Sequence, residues 1–318
     1  MHEFDLIQIY FSKLSKSKGA LNLNDDVFFD RSKNLAVSVD TYVQGVHFID
    51  FKNPELVIKK IIRSSISDLI CKGVKPRYYF ISGSGNNKSF SPSNLEKISK
   101  SLKQEQNKYN IFLCGGDTVL SDKLSFTITS VGFSKKIIYR NKAKLNDDIY
   151  VTGNLGDSYV GLKVLKKKIR LNRSLEKYFV NRYYQPNLHL ELTKKLLSFA
   201  NTSIDISDGL IADLIKLINK QKLSYKIYMN NIPVSKNLDK LFILKKLKKE
   251  LYVSQGDDYQ VLFTASPSKF RIINETAKSL GVKISKIGKI CSPLLESEIY
   301  DQKGMKIALK NQGYYHKF

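Results

Sequence analysis

The stretch Ile204-Asp205-Ile206-Ser207-Asp208-Gly209-Leu210 constrains this chain more than any other. Asp205 and Ser207 alternate with Ile204 and Ile206, which is the two-residue period of a strand. Gly209 permits a tight exit, and Leu210-Ile211-Ala212-Asp213-Leu214-Ile215 begins a helical pattern. Both acids are therefore expected at a strand end that feeds a helix. A carboxylate in an apolar setting is costly unless a cation or hydrogen-bond donors receive it. A hard cation such as magnesium takes oxygen ligands and often carries phosphates. Taken singly, Asp208 is as well explained as a cap on the following helix. The recurrence of the pattern elsewhere tips the balance.

Acids beside small residues return at Asn24-Asp25-Asp26, Ser38-Val39-Asp40-Thr41, Ser67-Asp68, Gly115-Gly116-Asp117-Thr118 and Gly256-Asp257-Asp258. Each falls at an expected strand end, turn or helix flank. In a chain with 53 basic and 29 acidic residues this concentration of Asp is unusual. Several converging carboxylates would repel one another, and divalent cations are what hold such a set together. The pattern predicts a nucleotide-phosphate site with more than one magnesium, acting by positioning and charge neutralisation of an in-line phosphoryl transfer. The sequence carries no Walker-type or protein-kinase motif set, no nucleophile elbow and no zinc cluster.

The length, 318 residues, fits about two domains, and a hydrophobic content of 42% allows a sizeable core. No apolar run approaches the roughly 20 residues that span a bilayer, and Met1-His2-Glu3-Phe4-Asp5 does not begin like a signal peptide. Cys71, Cys114 and Cys291 lack metal-site spacing and fit structural thiols in a reduced, cytoplasmic setting. The net charge of +24 raises nucleic-acid binding as a reading. The basic residues instead dot helical faces, as in Lys163 to Lys168, and no single-strand-binding motif accompanies them. A positive surface would still collect anionic substrates.

In chain order, a helix is expected over Glu3–Ser15, with Phe4, Ile7, Tyr10, Phe11 and Leu14 at helical spacing. Strands are expected at Val27–Asp30, Asn34–Thr41, Tyr78–Gly83, Ile111–Cys114 (buried) and Leu124–Phe133. Helices are expected from Pro54 to near Gly73 and over Ser93–Tyr109, giving a mixed sheet with two helices on one face. The basic connector Lys135–Lys144 marks a boundary. Beyond it come strands at Asp148–Thr152, Tyr225–Met229, near Val261 and Val282–Ile287, and a helix over Ser268–Leu280. The turn Gly153 to Ser158 opens a helix whose free amides could hold an anion.

Taken together these motifs resemble the thiamine-monophosphate kinase family, within the superfamily of aminoimidazole ribonucleotide synthetase and selenophosphate synthetase. The likeness runs in order through Glu3-Phe4-Asp5-Leu6-Ile7, Ser38 to Thr41, Gly45-Val46-His47-Phe48, Ser67-Asp68-Leu69, Gly115 to Thr118, Tyr150 to Gly153 with Gly156-Asp157-Ser158, Asp205 to Leu210, Gly256 to Tyr259 and Gly313-Tyr314-Tyr315-His316. The resemblance implies transfer of the ATP γ-phosphate to thiamine monophosphate and an α+β fold of two domains. Residues 1–137 would form an ATP- and magnesium-binding domain whose mixed sheet builds a dimer barrel. Residues 138–318 would form an α/β domain that completes the site of a cytoplasmic homodimer.

By the same resemblance Asp26, Ser38, Val39, Asp40, Asp68, Asp117, Asp205 and Asp208 would surround several magnesium ions, Val39 through its backbone alone. Tyr109, Gly116, Asp117, Arg140 and Ser207 would contact ATP, with Arg140 a bidentate phosphate clamp. His47, Asp257 and Tyr314 would line the thiamine-phosphate site, where the flat face of Tyr314 suits a cationic ring. No residue is assigned as a general base. The chain departs from the family pattern at Asn24, Val39, Gln255, Asp257 and Gln260, and its last aromatic, Phe318, sits one residue late. Asp257 stands where the family usually has Glu, one methylene longer. Alternative readings are a related ATP-dependent synthetase acting on another small substrate, and a basic nucleic-acid binder.

Overall fold

The protein is described from a computed structural model, over residues 3–245, 247–309 and 313–315. The first half comprises helix α1 (Glu3–Leu6), strands β1 (Phe28–Asp30) and β2 (Leu35–Val43), helix α2 (Pro54–Cys71), strand β3 (Lys75–Gly85), helix α3 (Pro92–Tyr109), and strands β4 (Phe112–Leu120) and β5 (Ser125–Phe133). The strands form one mixed sheet in the order β1-β2-β5-β3-β4, parallel only between β3 and β4. α2 starts with Pro54, whose fixed φ and missing N–H suit a first turn, and the chain leaves it through Gly73 at φ 77°. Its Val57, Ile58, Ile61, Ile62 and Ile66 are buried with Ile98 of α3 and Phe126 and Ile128 of β5.

The second half contains β6 (Asp148–Thr152), α4 (Asp157–Leu165), α5 (Arg173–Tyr184), α6 (Thr193–Leu196), β7 (Thr202–Asp205), α7 (Leu210–Ile218), β8 (Ser224–Tyr228), α8 (Lys236–Lys245), α9 (Glu250–Val253), β9 (Val261–Ala265), α10 (Phe270–Leu280), β10 (Ile284–Cys291), β11 (Glu298–Tyr300) and β12 (Lys306–Ile307). Its seven strands are ordered β12-β11-β8-β10-β6-β9-β7. β6 and β9 are buried along their whole length, as central strands covered on both faces should be. The two sheets meet where α2 ends against β7. Ser203 Oγ donates to the Cys71 carbonyl at 2.5 Å, and Lys72 Nζ donates to the Ser203 carbonyl at 2.7 Å. Among the described residues no helix is long and apolar enough to cross a membrane.

Three expectations need correction. The N-terminal helix is not continuous: α1 passes into a π turn at Ile7–Phe11 and a 3-10 turn at Ser12–Leu14. The change of pitch breaks the apolar stripe, and Tyr10, Phe11 and Leu14 are exposed. The strand expected at Ile111–Cys114 is β4, which runs on through the Gly115-Gly116-Asp117 motif as an exposed edge strand. The basic stretch Leu244 to Glu250, read as helical, meets α8 at Leu244 and Lys245 and α9 at Glu250, and strand β11 had no counterpart in the sequence reading. His316 and Phe318 lie outside the described residues.

Gly116 shows why β4 needs glycine. Its φ is 159°, and a Cβ there would stand 1.7 Å from the Ile81 carbonyl oxygen of β3. Gly116→Ala is expected to lower stability by about 1–3 kcal/mol through backbone displacement. A denaturant midpoint equal to that of the wild type would contradict this packing.

Candidate active site

The acids reach one place from three elements and a loop. Asp26 comes from the turn before β1, Asp40 from β2, Asp68 from the last turns of α2, and Asp205 from the end of β7. β7 does feed α7 as the alternation of apolar and polar residues predicts. Oxygens of Asp26, Asp68 and Asp205 lie within 4.8 Å of one another. Asp40 neighbours Asp68, Ser65 and Tyr42, so it extends the same cluster. Ser38 Oγ donates to Asp68 Oδ2 at 2.5 Å, which fixes that carboxyl from behind.

Like charges this close repel by roughly 3 kcal/mol per pair at an effective dielectric near 20. Burial, then the charges of Asp40 and Asp205, raise the Asp68 carboxyl well above its usual range. Burial pushes Asp205 up to about 7, helped by Asp213 and Asp40, and burial pushes Asp40 up to about 6. Two cations relieve the set. Lys72, its side chain 0% exposed, places Nζ 2.8 Å from Asp25 Oδ1 and 2.6 Å from Asp26 Oδ2. Arg140 pairs with Asp26 through its guanidinium, and its backbone N–H donates to Asp25 Oδ2 at 2.9 Å. The remaining acids form an all-oxygen donor set with protons held abnormally tightly, the condition that a hard divalent cation relieves.

Asp208 stands in the turn after β7. Its carboxylate and that of Asp213 grip Lys216 of α7, while Asp213 Oδ2 accepts the N–H groups of Asp208 and Gly209 at 3.0 Å. The helix-capping role therefore falls to Asp213. The turn is pinned by the 254–260 loop: Asp257 N–H donates to the Ser207 carbonyl at 2.9 Å and Tyr259 N–H to the Ile206 carbonyl at 2.8 Å. Tyr314 N–H donates to the Asp208 carbonyl at 2.9 Å, which brings the C-terminal segment over the same turn.

His47 follows β2. Its Nδ1 accepts the Val43 N–H at 3.0 Å, so in the neutral ring Nε2 carries the hydrogen and is a donor. Its ring meets Tyr42 edge-on at 5.8 Å, and Tyr42 in turn neighbours Asp40. Val39 is exposed on the opposite face of β2. Asp117, paired through Ser82 and Thr127 with Thr41, lies three strands from β2 and is exposed. At about 4.8 Å per strand that is roughly 14 Å, too far to join Asp68 within one chain. Gly116 sits beside it, and Tyr109, the last residue of α3, is core at 2% exposed. The glycine turn at 153–156 is occupied by a carboxyl of the chain itself: Asp258 Oδ2 accepts the Gly156 N–H at 2.7 Å.

Lys72, Lys60, Lys216, Asp25 and Asp213 are site residues the sequence did not single out. The Asp205 pKa gives a test. The folded chain holds this proton more tightly than an unfolded one, so ionisation costs stability as pH rises through about 7. Without divalent ions, Asp205→Asn is expected to gain stability relative to the wild type as pH rises from about 5 to about 8. A pH-independent gap in thermal midpoints would contradict the assignment.

The AIR synthase related protein, N-terminal domain family model matches residues 23–134. Thiamine-monophosphate kinase of Buchnera aphidicola subsp. Acyrthosiphon pisum is 34% identical, over 99% of this chain and 98% of that protein. The Haemophilus influenzae enzyme of that name is 32% identical, over 91% and 89%. The solved structure of AaThiL complexed with AMPPCP and TMP superposes with a TM-score of 0.85 at 27% identity, covering 99% of this chain and 97% of that one. With identity above 30% across nearly its full length, this chain belongs to the thiamine-monophosphate kinase family.

Proposed function

We propose that this protein transfers the γ-phosphoryl group of ATP to thiamine monophosphate, releasing thiamine diphosphate and ADP. The observation that carries the reading is the convergence of Asp26, Asp68 and Asp205 within 4.8 Å, in a family member whose solved relative binds AMPPCP, an ATP analogue, together with TMP. Asp26, Asp40, Asp68, Asp205 and Asp208 would hold magnesium, with Ser38 and the Val39 backbone beside them. Bound magnesium supplies charge neutralisation of the triphosphate. Ser207 and Arg140 lie at the triphosphate side. Arg140, now paired with Asp26, has a guanidinium suited to bidentate phosphate contact.

His47, Asp257 and Tyr314 form the acceptor side. The Nε2–H of His47 is a donor for the acceptor phosphate, and Asp257 is an acceptor for a ring amine. No general base is required, because a phosphate monoester with its second pKa near 6 already carries an anionic oxygen at neutral pH. The surroundings must instead aim that oxygen and keep water out.

Asp117 and Gly116 belong to this site through a second copy. The outer face of the first sheet exposes Val39, Phe80, Phe112, Val119 and Phe133. A homodimer that closes the two sheets on each other covers this patch and carries Asp117 across. The chain is divided at 137/138, and a cytoplasmic location supplies ATP and magnesium.

ATP consumption with magnesium is expected with thiamine monophosphate and not with thiamine or without acceptor. Asp68→Asn is expected to lower turnover about a hundredfold or more with the fold retained; full activity would remove the metal role. Asp68→Asn and Asp117→Asn, each inactive alone, are expected to recover about a quarter of wild-type activity when unfolded and refolded together, because half the dimers then hold one intact site. No recovery would place both residues in the same chain's site.

A further inference from the structure

His47 and Asp257 come from opposite halves of the chain, and two side chains join them. Lys60 on α2 is 1% exposed, and its Nζ lies 2.5 Å from Asp257 Oδ1. The same ammonium stands 3.7 Å from the centre of the Tyr183 ring. The Tyr183 hydroxyl donates to the His47 carbonyl at 3.1 Å. Tyr259 O–H donates to Asp257 Oδ1 at 3.3 Å. Lys60 and Tyr259 thus both engage Oδ1, and Oδ2 is left to face a ligand donor.

The fold alone gives little reason for this arrangement. A buried ammonium with one carboxylate and a ring face is an expensive group, and an apolar side chain of similar volume commonly serves a core as well or better. Burial pulls the Lys60 proton affinity down, and the charge of Asp257 opposes it. The loop it holds is strained: Asp257 sits at φ 69° and Tyr259 at φ 50°, both left-handed without being glycine. The turn at Ile206 and Ser207 fixes the backbone of that loop, and Lys60 fixes its carboxylate. The short Asp side chain has little reach, so its carboxylate has to be set in place by its neighbours.

We infer that Lys60 and Tyr183 are positioning residues of the acceptor site, locking Asp257 of one half to His47 of the other. This rests on the acceptor reading given above. The test is steady-state kinetics of wild type, Lys60→Met, Asp257→Asn, the double variant, Lys60→Arg and Tyr183→Phe, varying thiamine monophosphate and ATP separately. Lys60→Met is expected to raise the acceptor KM about tenfold while the ATP KM stays within about twofold, with the double variant no worse than either single one. Lys60→Arg, which keeps the charge, is expected to lie between wild type and Lys60→Met, and Tyr183→Phe to raise the acceptor KM about threefold. An unchanged acceptor KM in Lys60→Met, an equal rise in both KM values, or additive effects in the double variant would overturn the inference. Should Lys60→Met not fold, wild-type acceptor KM values in both Lys60→Arg and Tyr183→Phe would overturn it. A wild type that does not turn over thiamine monophosphate would instead remove the acceptor reading itself.

Discussion

Three carboxylates that share less than 5 Å of space set the terms for the rest of the molecule. Their repulsion has to be met from within the chain or from bound cations, and the structure does both. Lys72 and Arg140 neutralise Asp25 and Asp26, which leaves Asp40, Asp68 and Asp205 with protons held far above the ordinary carboxyl range. Removing one partner of such a buried pair typically costs about 3–5 kcal/mol, because it strands the other charge, so Lys72 cannot be lost without leaving Asp25 and Asp26 short of a counter-charge. The residual excess of negative charge is what the proposed divalent ions would offset.

Helix α2 is the element on which this depends. It carries Lys60, Asp68 and, just past its end, Lys72. Its apolar side is buried against the first sheet, and its end abuts β7 of the second. A helix held on two sides is a rigid mount, which suits groups whose positions must be kept to a fraction of an ångström. The residues proposed for the phosphate side and the acceptor side would then share one support, because the 206–209 turn and the 254–260 loop are hydrogen-bonded to each other.

Much of this was legible in the sequence. The alternation at Ile204 to Ser207 gave the strand end, and the apolar spacing of Val57, Ile58, Ile61 and Ile62 gave α2. Asp26, Asp68 and Asp205 were legible as acids beside small residues. The cations were not: in a chain with 53 basic residues, nothing local separates buried Lys60, Lys72 and Lys216 from lysines on solvated faces. The glycine turn at 153–156 reads as an anion site, but its Gly156 N–H is taken by the chain's own Asp258, a carboxyl that burial holds well above its usual range. Ile111–Cys114 reads as buried because it is apolar, whereas β4 lies exposed at the edge of its sheet, a position that sequence pattern does not reveal. Asp117 reads as one more ligand because sequence order says nothing about which face of a sheet a residue occupies.

The central claim is that these separated aspartates act as one divalent-ion site that carries a nucleotide. Titration of the wild-type protein with Mn2+, followed by electron paramagnetic resonance with and without AMPPCP, tests it most directly. The account predicts stoichiometric Mn2+ binding that tightens when the nucleotide is added and is lost in Asp68→Asn. Mn2+ binding no stronger than that of AMPPCP alone, or undiminished in Asp68→Asn, would contradict it.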